Sequence, residues 1–126
     1  MAESLQKRLQ SELDKYKSVQ KDFQKYVMQR QQLDAQLTEN NVVKEELNLL
    51  KPDATVYKMI GPVLVKQDLE EAKQTVSKRI EYITGEIKRV DTTTKELEKK
   101  QESHRDTLSK LQQQFQQAQV KAAMKS

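Results

Sequence analysis

The sequence predicts an all-α dominated protein, a long antiparallel coiled-coil hairpin of two helices joined by a single β-hairpin. Of its 126 residues, 33% are charged and 35% hydrophobic, so a large spherical core is not expected when globular domains average about 45–50% apolar residues. With 2 glycines and 2 prolines, the chain has few turn residues for many short strands. The apolar residues instead recur at heptad spacing, which is typical of coiled coils.

A first helix is predicted over residues 4–50, which contain no glycine or proline and are rich in good helix formers. Steps of three and four residues trace one stripe along it, with polar interruptions at Glu12, Arg30, Asn40 and Lys44. We expect Asn40 to fix the alignment of the helices at some cost in stability, and Arg30 and Lys44 to extend out of the seam. The other stripe members are Leu5, Leu9, Tyr16, Val19, Phe23, Tyr26, Leu33, Leu37 and Leu47.

A β-hairpin is predicted over residues 54–66. Pro52 ends the first helix, because its ring and missing N–H cannot continue the hydrogen-bond ladder. Two short runs of β-branched, aromatic and other apolar residues follow at 55–60 and 63–66, separated by Gly61-Pro62. A hairpin of two strands is marginally stable alone and has two unpaired edges, so oligomerisation through these strands is expected.

The apolar side chains of this hairpin are too many for one buried face, so contact with other subunits is favoured over packing on the protein's own helices. We expect the contact to use Val56, Tyr57, Met59, Ile60, Val63, Leu64 and Val65.

A second helix is predicted over residues 68–122, followed by a flexible tail at 123–126. Asp68, with acidic residues in the next turn, is a suitable start because it complements the helix dipole. The heptad register then runs over eight heptads without a slip, which specifies a left-handed coiled coil. One set of core positions is Leu69, Val76, Ile83, Val90, Leu97, His104, Leu111 and Ala118. The other is Lys73, Ile80, Ile87, Thr94, Gln101, Leu108, Phe115 and Ala122.

If the chain reverses near residue 60, facing residues have numbers that add to about 120. This rule places apolar residues opposite one another: Leu37 and Ile83, Leu33 and Ile87, Phe23 and Leu97, Leu9 and Leu111, and Leu5 and Phe115. It places His104 opposite Tyr16, and we expect His104 to be a tolerated polar seam residue without a carboxylate partner.

Composition argues against several classes of function. No cysteine is present and His104 is the single histidine, so neither a thiol nucleophile nor a Cys/His metal site is expected. No glycine-rich phosphate loop and no catalytic constellation occurs, so we predict no cofactor and no enzyme activity. The net charge of +4 is spread over interleaved acidic and basic residues, which disfavours nucleic-acid binding. No signal-peptide or membrane-span pattern occurs, so a soluble protein is expected.

Two motifs resemble the β-class prefoldin subunits. They are Gln-Leu-Thr-Glu-Asn-Asn-Val-Val-Lys-Glu-Glu-Leu at residues 36–47 and Val-Tyr-Lys-Met-Ile-Gly-Pro-Val-Leu-Val-Lys-Gln at 56–67. The segments 81–84 and 86–89 extend the likeness, and a single hairpin matches the β class rather than the α class, which has two. The resemblance covers nearly the whole chain, and its most specific part is the hairpin.

This resemblance implies a hexamer of two α-class and four β-class subunits, whose hairpins form β-barrels from which the coiled coils extend. It also implies that non-native proteins such as actin and tubulin are bound without ATP and passed to the cytosolic chaperonin, and hence a cytoplasmic location. The sequence leaves open whether the strand side chains with Val56 and Ile60, or those with Tyr57 and Met59, would face the interior of such a barrel.

The free ends of the two helices are the expected client-binding tips, because helix ends fray and can expose apolar side chains. The candidate residues are Leu5, Leu9, Leu13, Leu108, Leu111 and Phe115, with Val120 and Met124 as further members. For Leu9 and Leu111, an ordinary place in the coil core is an equal alternative. For the whole protein, the alternative is a structural or tethering coiled coil without chaperone activity. Such a protein would not need the apolar hairpin.

Overall fold

The computed structural model describes the backbone of residues 2–125 and the side chains of residues 3–125. It consists of helix α1 (Ala2–Leu49), strands β1 (Val56–Ile60) and β2 (Val63–Gln67), and helix α2 (Leu69–Lys125). The predicted fold class, two long helices joined by one antiparallel β-hairpin, is confirmed.

The element bounds differ from the predicted ones by a few residues. Helix α1 begins two residues earlier than predicted, at Ala2, and helix α2 continues through Lys125 instead of ending at residue 122. The added C-terminal residues are an alanine, a methionine and a lysine, which all favour a helix. Of the predicted tail at 123–126, Ser126 lies outside the described residues.

The ends of the helices next to the hairpin are formed by local hydrogen bonds. Helix α1 ends before Pro52, and a turn follows in which the Ala54 N–H donates to the Lys51 carbonyl at 2.9 Å. Asp68 begins α2: its side-chain Oδ2 accepts the N–H of Glu71 at 3.3 Å, and its carbonyl accepts the N–H of Ala72 at 2.9 Å. Both bonds satisfy donors that the first turn of a helix leaves without intrahelical partners.

The burial of side chains follows the predicted heptad stripes. In α1 every member of the stripe is buried or half-buried except Lys44, which is exposed, and Leu13 and Val27 are half-buried beside it. In α2 the same holds for every core position except Ala122. Two apolar positions per heptad are therefore removed from water in each helix, as a coiled coil requires.

The chain divides into two compact units, each containing a part of both helices. The hairpin unit comprises residues 29–90. Its core includes a cluster of Leu47, Leu69, Ala72 and Val76, against which Val56 of β1 and Ile80 pack. Further buried residues of this unit are Leu33, Ile83, Ile87 and Val90.

The terminal unit comprises residues 1–28 and 91–126. Within its described part, Leu97 and Leu111 are buried. Two contacts join its helices: Glu12 with His104, and Tyr16 with Arg105. The residue numbers of each pair add to about 120, so the helices are antiparallel here in the predicted register.

Replacing Asp68 tests the start of α2. We expect Asp68→Ala to lower the free energy of unfolding by about 1 kcal/mol, because the Glu71 N–H loses its acceptor, while Asp68→Ser keeps an N-cap and most of the stability. Urea unfolding followed by circular dichroism measures both. Equal loss in the two variants would contradict the capping role.

Candidate protein-binding surface

The β-hairpin is closed by a tight turn that requires glycine. Ile60 pairs with Val63, which leaves Gly61 and Pro62 as the two residues of the turn. Gly61 has a φ of 57°, whereas no described non-glycine residue has a positive φ. A positive φ followed by proline is the pattern of a type II′ turn, which suits the twist of a hairpin. No atom lies within 4 Å of a Cβ built on Gly61, so the requirement is conformational rather than steric.

The two faces of the hairpin differ in their surroundings. Because side chains alternate along a strand, Val56, Ile60, Val63 and Val65 share one face with Lys58 and Gln67. At the end of this face next to the helices, Val56 and Gln67 are half-buried, and Val56 packs on the Leu47 cluster. The opposite face carries Tyr57, Met59, Leu64 and Lys66, and all four are exposed.

The structure thus separates the predicted interface residues into two groups. Val56 contacts the protein's own helices. The other six are large apolar side chains with exposed fractions between 42% and 71%: Tyr57, Met59, Ile60, Val63, Leu64 and Val65. Six such residues within nine positions form an apolar surface of a kind that marks protein–protein contacts.

Both edges of the two-stranded sheet lack a further strand among the described residues. In a hairpin with a two-residue turn, Ile60 and Val63 exchange backbone hydrogen bonds, and bonded pairs then alternate with non-bonded ones. The outward-pointing N–H and C=O groups therefore belong to Tyr57 and Met59 on β1, and to Leu64 and Lys66 on β2. Either edge can accept another strand.

The predicted client-binding residues lie in the seam of the terminal unit. Leu111 is only 5% exposed, and the other five are half-buried: Leu5, Leu9, Leu13, Leu108 and Phe115. Val120 and Met124, by contrast, are 56% and 82% exposed. Met28, which lies outside the heptad stripe of the same unit, is 62% exposed.

His104 has a carboxylate partner that the sequence analysis did not foresee. The expectation that His104 has no carboxylate partner is wrong: its Nδ1 contacts Oε1 of Glu12, and both side chains are largely buried. Glu12 lies one turn from Tyr16 on the same stripe, so it reaches His104 within the predicted register. Tyr16 instead accepts a 3.2 Å hydrogen bond from Nη2 of Arg105, which raises the pKa of that guanidinium above its ordinary value.

Arg30 and Asn40 each have a contact within their own helix. Arg30 Nη1 lies 3.3 Å from Oδ1 of Asp34, one turn along α1. Asn40 Nδ2 donates to the Gln36 carbonyl at 2.7 Å, so this amide bonds to its own helix backbone.

No group of three or more acidic or histidine side chains within residues 3–125 is arranged to hold a metal ion. None of the described helices combines the length and the apolar content needed to cross a membrane.

Comparisons with known proteins agree with this architecture. Residues 10–115 match the family described as prefoldin subunit. The chain is 55% identical over 123 residues to prefoldin subunit 6 of Mus musculus, covering 98% of this chain and 97% of the relative. It is 49% identical to prefoldin subunit 6 of Arabidopsis thaliana, covering 89% and 87%. Among solved structures, it matches the prefoldin beta subunit from Thermococcus strain KS-1 with a TM-score of 0.61 and 28% identity, covering 88% and 91% of the two chains.

The pair in the seam of the terminal unit leads to a stability prediction. We expect the double variant Glu12→Leu/His104→Leu to be more stable than the wild type by about 1 kcal/mol, because an apolar pair avoids the desolvation of the polar one. Glu12→Leu alone should be the least stable of the three, because His104 then loses its partner. Thermal unfolding gives the order, and a double variant less stable than the wild type would contradict the argument.

Proposed function

The chain belongs to the prefoldin family and is a prefoldin co-chaperone subunit, and from this premise we propose that it is a β-class subunit of a hexamer whose hairpins assemble into β-barrels. The observation that carries the proposal is the hairpin surface, with six exposed apolar side chains and two unpaired strand edges. Relatives of this chain are subunits by name, and their partners in assembly are other prefoldin subunits. Burial of the hairpin in such an assembly covers its apolar side chains and gives the backbone groups of its strand edges hydrogen-bond partners.

The face with Tyr57, Met59 and Leu64 is proposed to turn toward the interior of the barrel. Its side chains are all exposed, whereas the other face rests on the helices through Val56 at one end. A neighbouring subunit can cover this face, and its three apolar side chains are suited to a barrel core, with Lys66 at the end next to the helices.

The assembled protein is proposed to bind non-native proteins at the helix ends of the terminal unit, without ATP, and to pass them to the cytosolic chaperonin. The cytoplasmic location belongs to the same proposal. Because the seam largely covers Leu5, Leu9, Leu13, Leu108, Leu111 and Phe115, binding through them requires the helices to separate. Val120 and Met124 need no such change, since they are already exposed. Flexible methionine side chains also suit varied partners.

Assembly is tested by placing a charge on the exposed face. We expect Leu64→Lys to prevent formation of a hexamer with α-class partner subunits, because a buried ammonium would lose its hydration. Gln74→Lys, at an exposed position of α2, is the matched control and should assemble normally. Native mass spectrometry of co-expressed subunits gives the readout. The proposed assembly would be refuted if Leu64→Lys formed normal hexamers. It would also be refuted if neither the wild type nor any variant formed a hexamer.

Client binding is tested by locking the seam of the terminal unit. The chain has no cysteine, so Leu9→Cys and Leu111→Cys, which the register places opposite each other, introduce one reversible disulfide. The oxidised hexamer should suppress aggregation of a denatured protein several-fold less than the same sample after reduction, because its helices cannot separate. A similar lock at Leu37→Cys and Ile83→Cys in the hairpin unit is the control. Equal suppression before and after reduction would show that clients bind without opening of the seam.

A further inference from the structure

The net charge of the chain is located at the free ends of its two helices. The segments beyond the contact of Glu12 with His104, residues 3–11 and 105–125, are here named the basic tip. The basic tip has six basic side chains and two acidic ones, whereas the rest of the chain has 17 of each, so the net charge of +4 belongs entirely to the tip. The interleaved charges therefore balance along the rest of the chain but not at this end.

Most of the basic side chains of the tip have no partner within the described protein. Arg105 donates a hydrogen bond to Tyr16. The other five are exposed, and none of them takes part in an ion pair among residues 3–125: Lys7, Arg8, Lys110, Lys121 and Lys125. Their charges are therefore available to attract an anionic group from outside the chain.

Two of these cations, one from each helix, lie at the same cavity. Arg8 of α1 and Lys121 of α2 line a cavity of about 400 Å³ together with Leu5 and Ala118. Lys121 also lines a cavity of about 610 Å³, to which Val120 contributes its exposed side chain. Among the described residues, no acidic side chain lines either cavity. Cations and apolar side chains thus lie next to one another on a surface that is open while the seam is closed.

Glutamine side chains supply the other large polar groups of the two cavities. Gln114 and Gln117 line the first cavity, and Gln113, Gln116 and Gln117 line the second; all four are exposed. An amide both donates and accepts hydrogen bonds, so it can bind the backbone of an extended peptide whatever its sequence. The cations are then the groups that discriminate, because they attract carboxylates and repel ammonium groups.

We propose that the basic tip selects, among non-native protein segments, those in which acidic residues flank apolar ones. The proposal rests on the proposed client binding and adds the class of segment that is bound. Arg8 and Lys121 pair with carboxylates of the segment, while Leu5 and Val120 contact its apolar side chains. A nucleic acid fits less well, because it would place charged phosphates against the apolar residues of the two cavities.

The first test compares three fluorescent peptides that share the same leucine and phenylalanine positions and have Glu, Gln or Lys between them. Their binding to the wild-type hexamer is measured by fluorescence anisotropy without nucleotide. We expect the Glu peptide to bind about three- to tenfold more tightly than the Gln peptide, and the Lys peptide to bind most weakly, because each exposed ion pair strengthens binding a few-fold. Added salt should reduce these differences by screening the charges. Equal affinities for the three peptides would overturn the proposal.

Charge reversal in this chain alone separates its contribution from those of the other subunits. We expect Arg8→Glu/Lys121→Glu to remove most of the preference for the Glu peptide. The matched control, Lys25→Glu/Lys95→Glu, reverses two exposed charges that the register places opposite each other and that line neither cavity. Because residues 8 and 25 are about 25 Å apart along α1, roughly three Debye lengths at physiological salt, the control should keep the preference. Native mass spectrometry checks that both variants form the hexamer.

The outcomes distinguish this inference from the proposed function. If no peptide binds the wild-type hexamer and aggregation of a denatured protein is not suppressed, the proposed client binding fails, and this inference fails with it. If the peptides bind but the two double variants keep or lose the preference equally, the role of Arg8 and Lys121 is overturned.

Competition with single-stranded DNA tests the choice of ligand. We expect the DNA to displace the labelled Glu peptide only at higher concentrations than the unlabelled Glu peptide does. Displacement at lower concentrations would identify the basic tip as a site for polyanions and overturn the choice of acidic, apolar peptide segments.

Discussion

The structure depends on a narrow apolar seam between the two helices. Each helix can bury its apolar side chains only against the other helix. Helices of 48 and 57 residues have high charge and about two core positions per heptad, so neither has enough apolar surface to be stable alone. Because the seam uses nearly all the apolar residues of the helices, an exposed apolar residue outside it is informative. Met28, Val42, Val43 and Tyr82 are such residues. Two of them, Val43 and Tyr82, line depressions on the surface of the hairpin unit.

The hairpin likewise cannot bury its apolar side chains within its own subunit. Its contact with the helices runs through Val56, while six large apolar side chains stay exposed. Covering a half-exposed side chain of this size contributes about 1 kcal/mol, so six supply several kcal/mol per subunit toward the cost of association. The turn at Gly61 joins the strands with two residues, and both edges of the sheet lack a further strand among the described residues. In the proposed assembly, partner subunits cover the hairpin.

The seam could be predicted from sequence because a period of 3.5 residues has one structural solution, and burial at Leu69, Val76, Ile83 and Val90 follows it closely. The partner of His104 could not, since Tyr16 and Glu12 lie one turn apart on the same stripe and both are near His104 in one and the same register. The orientation of the hairpin was also undetermined: alternation defines two faces, but only the packing of Val56 on Leu47 distinguishes them.

The two units differ in how completely their seams are buried. Of the ten described apolar residues that are buried, eight belong to the hairpin unit, whereas Leu97 and Leu111 are those of the terminal unit. The terminal unit also contains the pair of Glu12 and His104 at core positions, where desolvation offsets much of the attraction between the side chains. Local opening costs least where fewest apolar contacts are lost. Separation of the helices is therefore easier in the terminal unit, which holds the proposed client-binding residues. In the proposed function, this lower stability of the closed seam favours binding.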